Sequence, residues 1–148
     1  MDENPALQFR GTRELDFWIG DWDVYDVADD KTPVAHARVA GRLDDCVLHE
    51  VYDDPNLKGE SFSIYDGSRE VWHQTWVTNR GQLLTLEGRK RGVELFFEGS
   101  AIANGVNTLY RAVWTPEGGG VRETAETSID GGKTWRPWFD LRFRRRPS

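Results

Sequence analysis

The stretch ESFSIYDGSREVWHQTWV, Glu60 to Val77, holds two runs of alternating side chains on either side of a turn signal. Ser61, Ser63 and Tyr65 alternate with Phe62 and Ile64. Beyond YDGSRE, the residues Trp72, Gln74 and Trp76 alternate with Val71, His73, Thr75 and Val77. A period of two belongs to strands, whose successive side chains point to opposite faces. Asp-Gly between such runs supplies the backbone conformations of a tight turn. This segment is a β-hairpin, and its neighbours repeat the pattern.

Runs rich in Val, Ile, Thr and aromatic residues predict strands near 21–28, 33–40, 46–52, 60–65, 71–77, 82–87, 92–98, 107–114, 120–128 and 136–144. Turn chemistry separates them: DDKTP, GRLDD, DDPNLKG, YDGSRE, TNRGQ, GRKRG, SAIANG, TPEGGG and DGGK. Only residues 12–20, TRELDFWIG, read as a short helical turn, with Thr12 as its cap and Leu15, Trp18 and Ile19 along one side. Closing such a meander removes the exposed edges that invite aggregation. The expectation is one all-β domain over 1–148: a short N-terminal helix at 12–20, then an antiparallel up-and-down barrel of about eight to ten strands over 21–145.

Bulk properties narrow the function classes. A chain of 148 residues with 38% hydrophobic and 30% charged residues suits one folded domain. No apolar run approaches the roughly 20 residues of a membrane-spanning helix, and the N-terminus lacks the pattern of a secretory signal. Cys46 is the only cysteine, so no internal disulfide forms, and a cytoplasmic location is the expectation. A net charge of −6 argues against nucleic acid as a partner. The one basic cluster, RFRRRPS at 142–148, reads as the solvated end of the last strand. Seven tryptophans are a heavy aromatic load, and such rings need the protein's own core or a guest to pack against.

SIDGGKTW, Ser128 to Trp135, resembles the Asp-box of sialidase propellers. It occurs once, in a chain too short for several four-stranded blades, and its Asp130-Gly131-Gly132 centre reads as a hairpin turn.

FWIGDWDVYD, Phe17 to Asp26, leads from a helical turn through Gly20-Asp21-Trp22 into a strand. It resembles the Gly-x-Trp opening of the calycins, the lipocalin and fatty-acid-binding superfamily. Asp45-Cys46-Val47-Leu48-His49-Glu50, Ser61-x-Ser63-x-Tyr65-Asp66, Trp72-x-Gln74-x-Trp76-Val77 and Asp130-Gly131-Gly132-Lys133-Thr134-Trp135 extend the likeness. Together, from about residue 14 to residue 145, they are similar to an uncharacterised bacterial lipocalin-like, calycin-type family. The resemblance implies a β-barrel in which Trp22 seals one end. Related nitrobindin-type barrels bind haem through a histidine late in the chain. Here the histidines are His36, His49 and His73, so no cofactor is expected.

Two arrangements of the hairpin are open. Either the aliphatic face of Phe62, Ile64 and Val77 fills the barrel, or Ser61, Ser63, Tyr65, Trp72, Gln74 and Trp76 line a pocket. The second is favoured, because a filled core has little use for Gln and hydroxyls, whereas ligand sites combine aromatic walls with a few polar groups. The candidate ligand-binding residues are therefore Trp22, Ser61, Ser63, Tyr65, Trp72, Gln74, Trp76 and Arg111, around a small hydrophobic or aromatic molecule. The alternative function is a cofactor-free lyase, cyclase or isomerase in the same pocket. Its acid/base residue is Glu50 or Glu126, with Tyr65 as donor and Arg111 as clamp. A third reading is a filled barrel that forms a homodimer through its aliphatic outer face. His49 and His73 lack metal-ligand spacing with a second His or Cys, so no metal is expected.

Overall fold

The computed structural model describes Phe9 and residues 11–147. Ten strands run β1 (Gly20–Asp26), β2 (Ala35–Arg42), β3 (Val47–Asp53), β4 (Lys58–Asp66), β5 (Val71–Thr78), β6 (Leu83–Arg91), β7 (Glu94–Ala103), β8 (Val106–Glu117), β9 (Gly120–Ser128) and β10 (Arg136–Arg145). Each pairs antiparallel with its sequence neighbours, and β10 returns to β1 with Trp22 opposite Arg145 and Val24 opposite Phe143. The sheet is a closed up-and-down barrel, which is consistent with a calycin-like fold. Closure satisfies the backbone groups that an open sheet would leave on its edges. Among the described residues, no helix is long and apolar enough to cross a membrane.

The hairpin of β4 and β5 pairs Ser61 with Trp76, Ser63 with Gln74 and Tyr65 with Trp72. Ser61, Ser63, Trp72 and Gln74 are buried, while Phe62 is 49% and Val77 is 47% exposed. The polar and aromatic face thus points into the barrel, and the aliphatic face points out.

The helix expected over 12–20 is shorter than its pattern suggests. A turn over 11–15 leads into a single 3-10 turn, Asp16–Trp18, which ends where Ile19 becomes extended and feeds β1. What this segment supplies is a plug. Leu15 and Trp18 are fully buried, and Trp18 meets Trp114 and Phe143 edge-on at 5.7 and 6.2 Å between ring centroids. Trp22 crosses Phe143 at 6.2 Å and donates its indole N–H to the Trp18 carbonyl at 2.8 Å. Edge-to-face pairs of this kind each contribute about 1 kcal/mol beyond area burial. The N-terminal end of the barrel is closed by rings.

Three loops read as turns are instead largely strand, TPEGGG among them, which shrinks to 118–119. β6 runs through Gly88 to Arg91 and β7 continues to Ala103, so the GRKRG and SAIANG turns shrink to 92–93 and 104–105. A Cβ on Gly88 would collide with the Phe96 carbonyl, and one on Gly99 with the Thr85 carbonyl. Both glycines sit where neighbouring backbones approach too closely for a side chain.

Candidate functional site

The barrel interior is not filled. A cavity of about 220 Å³ occupies its middle and the end opposite the ring plug. Inward positions of several strands build its wall: Glu50 and Tyr52 from β3, Gln74 and Trp76 from β5, Leu84 and Leu86 from β6, Tyr110, Ala112 and Trp114 from β8, and Glu123 and Ala125 from β9. On β10 the register skips between Pro137 and Phe139. Phe139, Leu141 and Phe143 keep the inward alternation, and the bulge lets Trp138 border the cavity as well. Trp138 packs against Tyr110 at 5.1 Å and is 43% exposed, which places it at the mouth with Leu57 and Gln82.

Two carboxyl groups stand in this apolar surround. Glu50 is 6% exposed and accepts a hydrogen bond from the Ser61 hydroxyl at 2.9 Å. Loss of solvent lifts its pKa to about 7, and the Ser61 bond only partly opposes that rise. Glu123 lies almost across the bore, since β2, β1 and β10 separate β9 from β3 on the shorter way round. Burial raises its pKa well above the usual carboxylate range, and the negative charge of Glu50 raises it further. The pair therefore holds protons at pH values where surface carboxylates have lost theirs. Tyr52, edge-on to Trp76 at 6.0 Å, donates its hydroxyl to Asp54 at 3.0 Å. Burial and the carboxylates around it push its phenol pKa upward.

Apart from Arg111 and Glu126, the candidate residues named from sequence divide into three groups. Glu50, Gln74 and Trp76 border the cavity. Ser61 and Ser63 lie behind it: the first holds Glu50, and the second accepts from the Gln74 amide at 3.0 Å. Trp22, Tyr65 and Trp72 belong to the closed end. Trp22 is spent on Trp18, and Tyr65 packs edge-on to Trp72, whose indole donates to Glu14 at 3.3 Å.

Arg111 and Glu126 require correction as interior groups. Arg111 touches the cavity wall, but it alternates with the inward Tyr110 and Ala112. Its guanidinium donates to Glu126 at 3.0 Å and lies over the Trp135 ring at 4.0 Å. The two form an outer cross-strand ion pair, opposite each other in the β8–β9 register. The inward carboxylate of β9 is Glu123, two positions from Ala125 on the same face.

The histidines are on the outside and engaged: His36 with Asp21, His49 with Glu60, and His73 with Glu87 and Thr75. Among the described residues, no three His, Cys, Asp or Glu side chains converge as metal ligands. The Asp-box is a self-bonded turn. Asp130 accepts from Ser128 and from the Thr134 amide, while Ser128 accepts from the Gly132 amide. The Thr134 hydroxyl also donates to Asp130, and this bond first, with those from the Thr134 amide and the Ser128 hydroxyl, holds the Asp130 carboxyl down at a pKa of about 2. No protein-family model matches the chain, and no match was found among curated proteins.

Proposed function

We propose that this barrel binds one small, largely apolar or aromatic molecule, in the manner of calycin-type carriers. One observation carries the reading. The interior keeps about 220 Å³ of space lined by Trp76, Tyr110, Trp114 and Trp138, where a filled barrel would have packed its own side chains. An engineered apolar cavity of about 150 Å³ is already enough to hold benzene, so a substituted ring fits here.

Tryptophan fluorescence tests it. Titration with the neutral probe 2-phenylethanol is expected to change emission saturably. Trp76→Ala weakens the response, and Ala125→Phe, which fills the cavity, abolishes it. A wild-type protein that shows no saturable change with this probe or with charged aromatics of similar size ends the proposal.

One observation favours a second reading, a cofactor-free enzyme on the same site. Glu50 has a pKa of about 7 in a largely apolar surround, as a residue that both gives and takes protons near neutrality needs. In this reading Glu50 is the acid/base, and Glu123, not Glu126, is the second carboxyl group on the cavity wall. Conversion of a bound molecule that stops in Glu50→Gln while binding persists supports it, and conversion unaffected by Glu50→Gln counts against it.

A further inference from the structure

We propose that the occupant is a protonated aromatic amine, with its ring against Trp76, Tyr110 and Trp138 and its ammonium group between Glu50 and Glu123. The inference rests on the cavity being a ligand site and adds the chemistry of the ligand.

Charge comes first. The titratable or charged side chains that border the cavity are Glu50 and Tyr52 from β3, Tyr110 and Arg111 from β8, and Glu123 from β9. Among the described residues, the one cation in that set is Arg111, which is already held by Glu126 and Trp135. Neither interior carboxylate has a cationic partner. Glu50 has a single donor, the Ser61 hydroxyl, at one of its oxygens. Among the described residues none donates a hydrogen bond to the Glu123 carboxyl, and the influences on it are burial and the repelling charge of Glu50.

Buried polar groups are ordinarily satisfied, and buried acids are ordinarily paired. This pair lacks a positive, hydrogen-donating group, and the cavity between the two walls has room for one. A carboxylate or phosphate ligand would instead place a further negative charge in a low-dielectric space. A neutral aromatic would leave the pair as it is. A primary ammonium brings three donors and a full charge.

The walls select the same chemistry. Cations are attracted to the faces of Trp and Tyr, and the attraction strengthens away from water. Trp138 at the mouth and Trp76 and Tyr110 deeper in provide such faces along the way to the acids.

The test uses three probes of matched shape on the full chain, followed by calorimetry at neutral pH: 2-phenylethylamine, 2-phenylethanol and 3-phenylpropanoate. The amine is expected to bind at least about tenfold more tightly than the alcohol, as charge-assisted hydrogen bonds are stronger than neutral ones. The carboxylate is expected to bind more weakly than either. In Glu50→Gln and Glu123→Gln, shown to be folded by their unfolding curves, the preference of amine over alcohol falls towards unity.

Alcohol binding equal to or tighter than amine binding, still weakened by Trp76→Ala, overturns the amine inference and leaves the cavity reading standing. An amine preference that survives both Gln variants overturns it too, since the ammonium then sits elsewhere. Failure of all three probes overturns both.

Discussion

Replacing Glu50 by Gln should make the protein more stable, and only above a definite pH. Glu50 is buried, its carboxyl is lifted from an ordinary value near 4.5 to about 7, and its one hydrogen bond comes from Ser61. Below about pH 4.5 the folded and unfolded chains both carry the proton at this position. Between there and about pH 7 the folded state keeps a proton that the unfolded state releases, so stability falls as pH rises. Above about pH 7 both states have lost it and the deficit is constant. A span of about 2.5 pH units at 1.36 kcal/mol each corresponds to about 3 kcal/mol. Glu123 is raised for the same reason and steepens the same slope.

Gln keeps the shape and can still accept from Ser61, but it has no proton to lose. Urea unfolding followed by tryptophan fluorescence should therefore find the variant and wild type close at about pH 4. At about pH 8 the variant should be ahead by up to about 3 kcal/mol, with similar m-values. In thermal unfolding that is roughly 6–12 °C for a chain of this size. A wild-type protein that gains stability from about pH 4.5 to about pH 7, or a Gln variant offset equally at both ends, would refute the reasoning.

Three further substitutions probe other parts. Ser61→Ala removes the donor that holds the ionised form of Glu50, so the midpoint of its titration, followed by carboxyl NMR, should rise; a fall would contradict the bond. Gly88→Ala places a methyl group against the Phe96 carbonyl and should cost roughly 1–3 kcal/mol in urea unfolding; a neutral result would mean the strands part easily there. Asp130→Ala removes the acceptor from the Asp-box, so hydrogen exchange at the Thr134 amide should accelerate while β4 and β5 amides stay protected. Unchanged exchange at Thr134 would show that the glycines alone hold the turn.

The barrel was readable because each strand repeats a period of two and each turn announces itself. The alternation of Ser61 to Val77 left its sidedness open and only favoured the arrangement found, since a filled core has little use for Gln and hydroxyls. Alternation also held the position of Glu123. Val121, Glu123 and Ala125 share one face of β9, and the two small or apolar members mark that face as inward. The reading went instead to Glu126, a charge near the Asp-box hairpin, and missed the carboxylate that the barrel buries.

Arg111 is placed by the same alternation. Its neighbours Tyr110 and Ala112 are the inward pair, so the cation had to face out. Other features leave little trace in a single chain. The bulge that brings Trp138 to the mouth depends on register between β9 and β10. The depth of Trp22 and Trp72, set by the plug of Leu15 and Trp18, separates them from the cavity although strand parity alone would admit them. Gly88 read as a turn residue because glycine signals both a turn and a close approach.

The account depends most on an interior dry enough to keep two carboxyl groups protonated near neutrality around a space that holds a guest. Carboxyl carbon NMR of glutamate-labelled protein, titrated with pH and assigned by Glu50→Gln and Glu123→Gln, measures this directly. The account predicts two glutamate signals with midpoints far above the ordinary range, that of Glu50 at about 7, and loss of coupling between them when either is replaced. Glu50 and Glu123 titrating together with the surface glutamates, near about 4.3, would mean a flooded barrel and would contradict it.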